Sequence, residues 1–245
     1  MRSRTLLFVL SVLLAVGGAQ ANGSNGPEPL RVLFVGNSLT ATNDLPAVVA
    51  TLAKTFSHTE LRYRTIAPGG VNLEDHWVAG TAGAELDTGD WDAVVMQQGP
   101  SSLPESQVDL RKWAIRFAER ARAHHVRPAL LTVWPETERS YALPAVIRSY
   151  RDAARAAHAE LYPAGRAWQA AWRRNPRLPL YGADGFHPSQ LGTYLTALVV
   201  LAGLTHEPPI DRPFRINRPG FRLSVSAARA KLLRDAAAEA LKVSR

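Results

Sequence analysis

Three residues of this chain have the types and surroundings that nucleophilic catalysis requires. Ser38 stands in RVLFVGNSLT (31–40), just past a glycine that ends an apolar run. Asp184 and His187 stand together in YGADGFHPSQLG (181–192). A serine hydroxyl is inert at neutral pH until a base takes its proton. An Asp-x-x-His loop can fold so that the carboxylate meets one imidazole nitrogen, fixing the tautomer and turning the other nitrogen toward the serine. That spacing is common in loops. Taken alone, Ser38 also reads as a capped strand end with no chemistry. His58, His124, His125, His158 and His206 fall on helix ends, strand entries or polar faces and read as surface residues. His76 and Trp77 follow a Gly-Gly turn and read either as pocket lining or as a packed aromatic with a capping histidine.

The elements that must position these groups alternate along the chain. Strand-like runs cover RVLFVG (31–36), LRYRTIA (61–67), WDAVVMQQ (91–98), PALLTVW (128–134) and, more weakly, AELYPA (159–164). Between them lie helical stretches: 45–56 with Leu45, Val48, Val49 and Leu52 on one stripe behind the cap Asp44, a short helix or loop at 73–80, and long helices at 105–124 and 143–158. A Trp-bearing helix reaches Arg173, an apolar helix covers 191–204, a Pro/Arg-rich connector follows, and a terminal helix covers 227–243. Continuous apolar strands alternating with helices predict a parallel sheet covered on both faces. Ligands of such sheets sit at the carboxyl ends of the strands, near a switch in strand order. Gly36-Asn37-Ser38, Gly69-Gly70 and Gln97-Gln98-Gly99 end the first three strands, so three polar or glycine-rich turns converge on one rim. With the Asp184–His187 loop added, the nucleophile reading of Ser38 gains over the capped strand end.

These blocks resemble the SGNH (GDSL-like) hydrolases. The likeness runs from FVGNSLT to DGFHPSQLGTYL, with GNSLT…NDLP, GG…L..HW and WDAVVMQQGPSS closest to exported bacterial members. It implies a three-layer α/β/α, flavodoxin-like domain with a parallel sheet of about five strands. It also implies ester hydrolysis through an acyl-serine, with no metal or organic cofactor. Position by position, Ser38 matches the nucleophile, His187 the general base and Asp184 its orienting acid. Gly70 matches the glycine whose N–H holds the oxyanion, with Gly69 in its place if the register slips by one, and the Ser38 N–H is the second donor. The chain departs from the family at the third donor. Where an asparagine stands in a Gly-x-Asn-Asp turn, this chain has MQQGPSS. That turn is similar to the Gln-Gly-Glu-Ser turn of SGNH-like carbohydrate acetylesterases, which assigns the role to Gln98. A glutamine amide carries the same two N–H donors on a longer arm. Gln97 is the alternative, since consecutive strand residues face opposite ways. Trp134, ending the fourth strand, reads as a wall of the acyl or sugar site or as a core-edge residue.

The totals set the frame. The 245 residues suit one domain, 30–245, behind a signal peptide at 1–21 and a polar linker at 22–29. The basic start MRSR, the apolar run 5–16 and the small residues of AQA predict cleavage after Ala21 and an exported, periplasmic or secreted protein without stable membrane insertion. With no cysteine, the domain must be stabilised by its core, and thiol catalysis is excluded. Arg2 and Arg4 would leave with the leader, lowering the formal charge from +8 to +6. The remaining arginines alternate with acids and alanines at helical spacing, a solvated-face pattern without the aromatic-basic ladder of nucleic-acid binders. No histidine-carboxylate pairing suggests a metal site and no Gly-x-x-x-x-Gly-Lys loop a nucleotide. The function expected is hydrolysis of short-acyl, acetyl-type esters of a carbohydrate or cell-envelope glycan. A lipase or lysophospholipase is the alternative within the family, and a non-catalytic envelope glycan-binding protein the alternative outside it.

Overall fold

The sheet is built where the apolar runs are longest. In the computed structural model, which describes residues 28–88 and 90–242, five strands pair in parallel: β1 (Leu30–Val35), β2 (Leu61–Ile66), β3 (Ala93–Met96), β4 (Arg127–Leu131) and β5 (Glu160–Tyr162). Their order is β2-β1-β3-β4-β5. Val32, Leu33, Phe34 and Val35 of β1 and all of β3 are buried, as strands covered on both faces must be. The edge strand β2 instead exposes Arg62, Tyr63, Arg64 and Thr65. The order switches direction between β1 and β3, and the segments that leave the carboxyl ends of those two strands carry Ser38 and Gln98.

Helices cover both faces, giving the three layers expected. One layer holds α2 (Leu45–Leu52), α7 (Ala164–Arg174), α8 (Gln190–Thr205) and α9 (Ala227–Lys242). The other holds α3 (Leu73–Ala79), α4 (Thr81–Asp87), α5 (Pro104–Ala123) and α6 (Leu143–Ala157). A single-turn α1 (Ser38–Ala41) precedes α2. Local chemistry starts the helices near the site. Asn72 and Asp75 form a capping box on α3, the Asp44 carboxylate accepts from Ala47 N ahead of α2, and the Ser189 hydroxyl accepts from Gly192 N at 3.1 Å to open α8.

Two elements depart from the sequence-based expectation. The segment read as a Pro/Arg-rich connector is a hairpin, β6 (Phe214–Arg218) and β7 (Phe221–Val225), joined at Pro219-Gly220. Phe214 seats it against Phe56 and Tyr194, at ring distances of 5.1 and 6.3 Å. The helix α4 was not anticipated in its Gly-bearing stretch. The signal-peptide expectation for 1–21 lies outside the described residues. No described helix is long and apolar enough to cross a membrane.

Candidate active site

Ser38 and His187 meet across 149 positions of sequence. Asn37 caps α1 in extended backbone, its Oδ1 accepting from Leu39 N at 3.1 Å, so the chain turns out of β1 and Ser38 opens the helix. Ser38 Oγ lies 2.8 Å from His187 Nε2, and His187 Nδ1 lies 2.5 Å from Asp184 Oδ2. Asp184 Oδ1 accepts from the backbone N–H of Phe186 (3.0 Å) and of His187 (2.9 Å), so the loop curls around its own carboxylate. The hydrogen bond from His187 and then that from the Phe186 N–H hold the Asp184 carboxyl down to about 2. An ionised Asp184 accepts only. The Nδ1 proton therefore points at it, and Nε2 is left to accept from the Ser38 hydroxyl.

Behind the serine is a buried mesh of amides. Gly36 leaves room for it: a Cβ there would come within 2.6 Å of both Gln97 Oε1 and Thr40 Oγ1. Gln97 Oε1 accepts from Asn37 N (3.0 Å) and Thr40 Oγ1 (2.8 Å), while its Nε2 donates to Asn37 Oδ1 (3.0 Å) and to Gln98 O (2.7 Å). The Gln97 amide is therefore fully occupied in holding the nucleophile turn to the end of β3. Asn37 Nδ2 in turn donates to Val71 O at 3.0 Å, tying the Gly69-Gly70 turn to the serine segment. His76, which is buried, bonds through Nε2 to Gly36 O at 2.7 Å, and burial lowers its imidazole pKa.

Gln98 is placed differently from its neighbour. Its Oε1 accepts from Leu73 N (3.2 Å), at the start of α3, and its Nε2 donates to Ser101 Oγ (3.2 Å). The second proton of that amide has no protein acceptor among the described residues. Tyr150 fixes the backbone here: its hydroxyl accepts from Gln98 N at 3.0 Å and donates to Gln98 O. The N–H groups of Ser38 and Gly70 likewise have no protein acceptor among the described residues. Gly70 has φ 76°, the left-handed region where a side chain is strained, and its turn is open to solvent.

The aromatic residues near the rim are structural. Trp134 is buried, stacks on Trp168 at 3.4 Å and donates from Nε1 to Phe186 O at 3.1 Å. It braces the loop that carries His187 and does not wall an open site. Trp77 packs on Trp113 and Phe117, at ring distances of 5.8 and 5.2 Å. Among the described residues, no group of three or more His, Asp or Glu side chains could hold a metal ion. Sequence spacing missed the roles of Asn37, Gln97 and Trp134, because their partners lie 34 to 60 residues away. The doubled glutamine was the one visible signal.

A three-layer parallel α/β fold with Ser38, His187 and Asp184 in a hydrogen-bonded row at the β1/β3 switch has counterparts among solved structures. It is similar to a proposed SGNH hydrolase from Slackia heliotrinireducens, at 27% identity over 72% of this chain and 100% of the other, with a TM-score of 0.62. A DUF4886 family protein from Bacteroides uniformis is 18% identical over 88% of this chain and 95% of its own, with a TM-score of 0.66. A variant of an acetyl-xylooligosaccharide esterase from Geobacillus is 15% identical over 75% of this chain and 97% of its own, with a TM-score of 0.58. No family model matches the sequence, and no curated protein matches it. These likenesses support the SGNH hydrolase superfamily for this chain.

Proposed function

We propose that this protein is an exported serine esterase that removes short acyl groups, acetyl above all, from a carbohydrate or cell-envelope glycan. The observation that carries the reading is the unbroken chain from Ser38 Oγ through His187 to Asp184, at 2.8 and 2.5 Å. Ser38 attacks the ester carbonyl as His187 Nε2 takes its proton. The tetrahedral oxyanion rests on the Ser38 and Gly70 N–H groups and on the free proton of the Gln98 amide, three donors that no protein group consumes. His187 returns the proton to the leaving alkoxide, which departs as the alcohol and leaves an acyl-serine. Water then adds with the same base: one proton passes through His187 to Ser38 Oγ, and the acid is released. Asp184 holds the imidazole in the reactive tautomer and stabilises its positive charge. The glutamine in the third donor position, the resemblance of its turn to carbohydrate acetylesterases, and the likeness to an acetyl-xylooligosaccharide esterase support the small acyl group and the sugar alcohol.

The test is hydrolysis of p-nitrophenyl acetate, p-nitrophenyl octanoate and acetylated xylooligosaccharide by the wild type and Ser38→Ala. The expected outcome is a preference for acetyl esters and a loss in kcat on the order of 10⁶-fold in the variant. Preference for the octanoate would retain the triad and replace the glycan substrate by a lipid. Equal rates for the two proteins would overturn serine catalysis.

A further inference from the structure

The segments that carry Ser38 and His187 are joined by very little. The His187 loop is fastened on its far side, to the segment after β4. Trp134 Nε1 donates to Phe186 O (3.1 Å), Thr137 donates to Gly185 O from its N–H (2.8 Å) and its hydroxyl (2.9 Å), and the Tyr181 hydroxyl donates to Pro135 O (2.6 Å). None of these fixes the loop relative to Ser38. Among the described residues, the hydrogen bonds that cross from segment 36–45 to segment 181–193 are the Ser38–His187 contact and two from one amide nitrogen. Asn43 Nδ2 donates to Pro188 O at 2.8 Å and to Thr193 Oγ1 at 2.9 Å.

We propose that Asn43 is a positioning residue that sets the distance and angle between the Ser38 hydroxyl and the His187 imidazole. It lies five residues after the serine and bonds the residue that follows the histidine. Its backbone has φ 58° and ψ 12°, left-handed values that asparagine tolerates better than most side chains, and this turn directs the short side chain back toward Pro188. Both amide protons are used. Thr193 is buried in the first turns of α8, so the second bond anchors the amide to a packed helix rather than to another loop. An aspartate would match the shape but would set a carboxylate oxygen against the Pro188 carbonyl. The role rests on the serine-esterase reading above, and it acts through Ser38 and His187 without touching substrate. A displacement of about 1 Å in a reacting group can cost about 100-fold in rate.

The experiment separates this role from general stability. Asn43→Gly keeps the left-handed backbone and removes both bonds; Asn43→Asp keeps the shape; Thr193→Val removes one of the two acceptors. With p-nitrophenyl acetate, Asn43→Gly and Asn43→Asp are expected to lower kcat by about 10- to 100-fold, with KM within about twofold. Thr193→Val is expected to lower kcat several-fold. Stoichiometric phosphonylation of Ser38 by a p-nitrophenyl phosphonate should slow in the same order, and melting temperatures are read on the same preparations. Wild-type kcat in Asn43→Gly or in Thr193→Val, or a loss confined to KM or to melting temperature, overturns the proposal. Ser38→Ala is assayed alongside. If it is inactive while Asn43→Gly is fully active, only the Asn43 role falls; if it is active, the serine-esterase reading falls as well.

Discussion

The two halves of the reacting site are held in opposite ways. On the serine side, Asn37, Gln97, Gln98 and His76 are all buried, and their polar atoms interlock with the turns after β1, β2 and β3. On the histidine side, the Asp184 side chain is 53% exposed and that of His187 31%. There the loop is shaped by its own carboxylate and braced from behind by Trp134. A buried amide left without its partner costs roughly 1–3 kcal/mol, whereas an exposed one finds water. The serine side thus couples chemistry to folding, and the histidine side can lose its chemistry and stay folded.

Asp184→Asn offers the sharpest break. It should lower kcat by about 10³–10⁴-fold, as an amide favours the wrong imidazole tautomer. Circular dichroism should meanwhile show a melting temperature within a few degrees of wild type. A large melting shift there would erase the distinction between the two sides. The glutamines test the other side. Gln98→Ala removes the proposed oxyanion donor and should lower kcat by about 10²–10³-fold. Gln97→Leu strands the Asn37 N–H and the Thr40 hydroxyl, and should lower the melting temperature by at least about 4 °C, at 2–4 °C per kcal/mol for a chain of this size. If the two substitutions exchanged their effects in calorimetry and kinetics, Gln97 would be the donor.

Trp134→Phe is the milder probe of the brace. It keeps the ring stack with Trp168 and removes the bond to Phe186 O, for a loss of about 1 kcal/mol, or 2–4 °C, in thermal melting. Smallest is a pH effect at His76. Burial lowers its pKa in the fold, so the unfolded chain takes up the proton first as pH falls. Its stabilising share is complete above the ordinary histidine value of about 6.5 and is lost as pH drops toward the lowered folded value. The melting-temperature gap between wild type and His76→Gln should therefore narrow on acidification through that range. A constant gap would show that the folded pKa is not lowered.

The buried strands β1, β3 and β4 were legible because each is a short continuous apolar run between turn residues, whereas the edge strand β2 showed through its alternation and the three-residue β5 only weakly. Ser38, Asp184 and His187 were legible as residue types in telling neighbourhoods, though nothing local in the chain states the distance between Ser38 and His187. The hairpin was missed for a different reason. Phe214-Arg215-Ile216-Asn217-Arg218 and Phe221-Arg222-Leu223-Ser224-Val225 alternate with period two around Pro219-Gly220, but the arginines on the outward face made the segment look like a linker. Asn37, Gln97 and Asn43 were not legible as braces. An amide that bonds a carbonyl 34 or 145 residues away leaves no trace in spacing.

The separation of 149 residues between Ser38 and His187 also fixes when the site comes into being. A chain emerging from its N-terminus presents the nucleophile, the glycine turn and both glutamines long before the imidazole exists. Only when α8 packs against α2 can Asn43 reach Pro188 and Thr193 and His187 reach Ser38. Contacts this distant in sequence form late and raise the entropic cost of the folding barrier. On the serine-esterase reading proposed above, partly folded forms are expected to be inert toward esters, and recovery of activity during refolding is expected to follow the docking of the last third of the chain rather than the closing of the sheet.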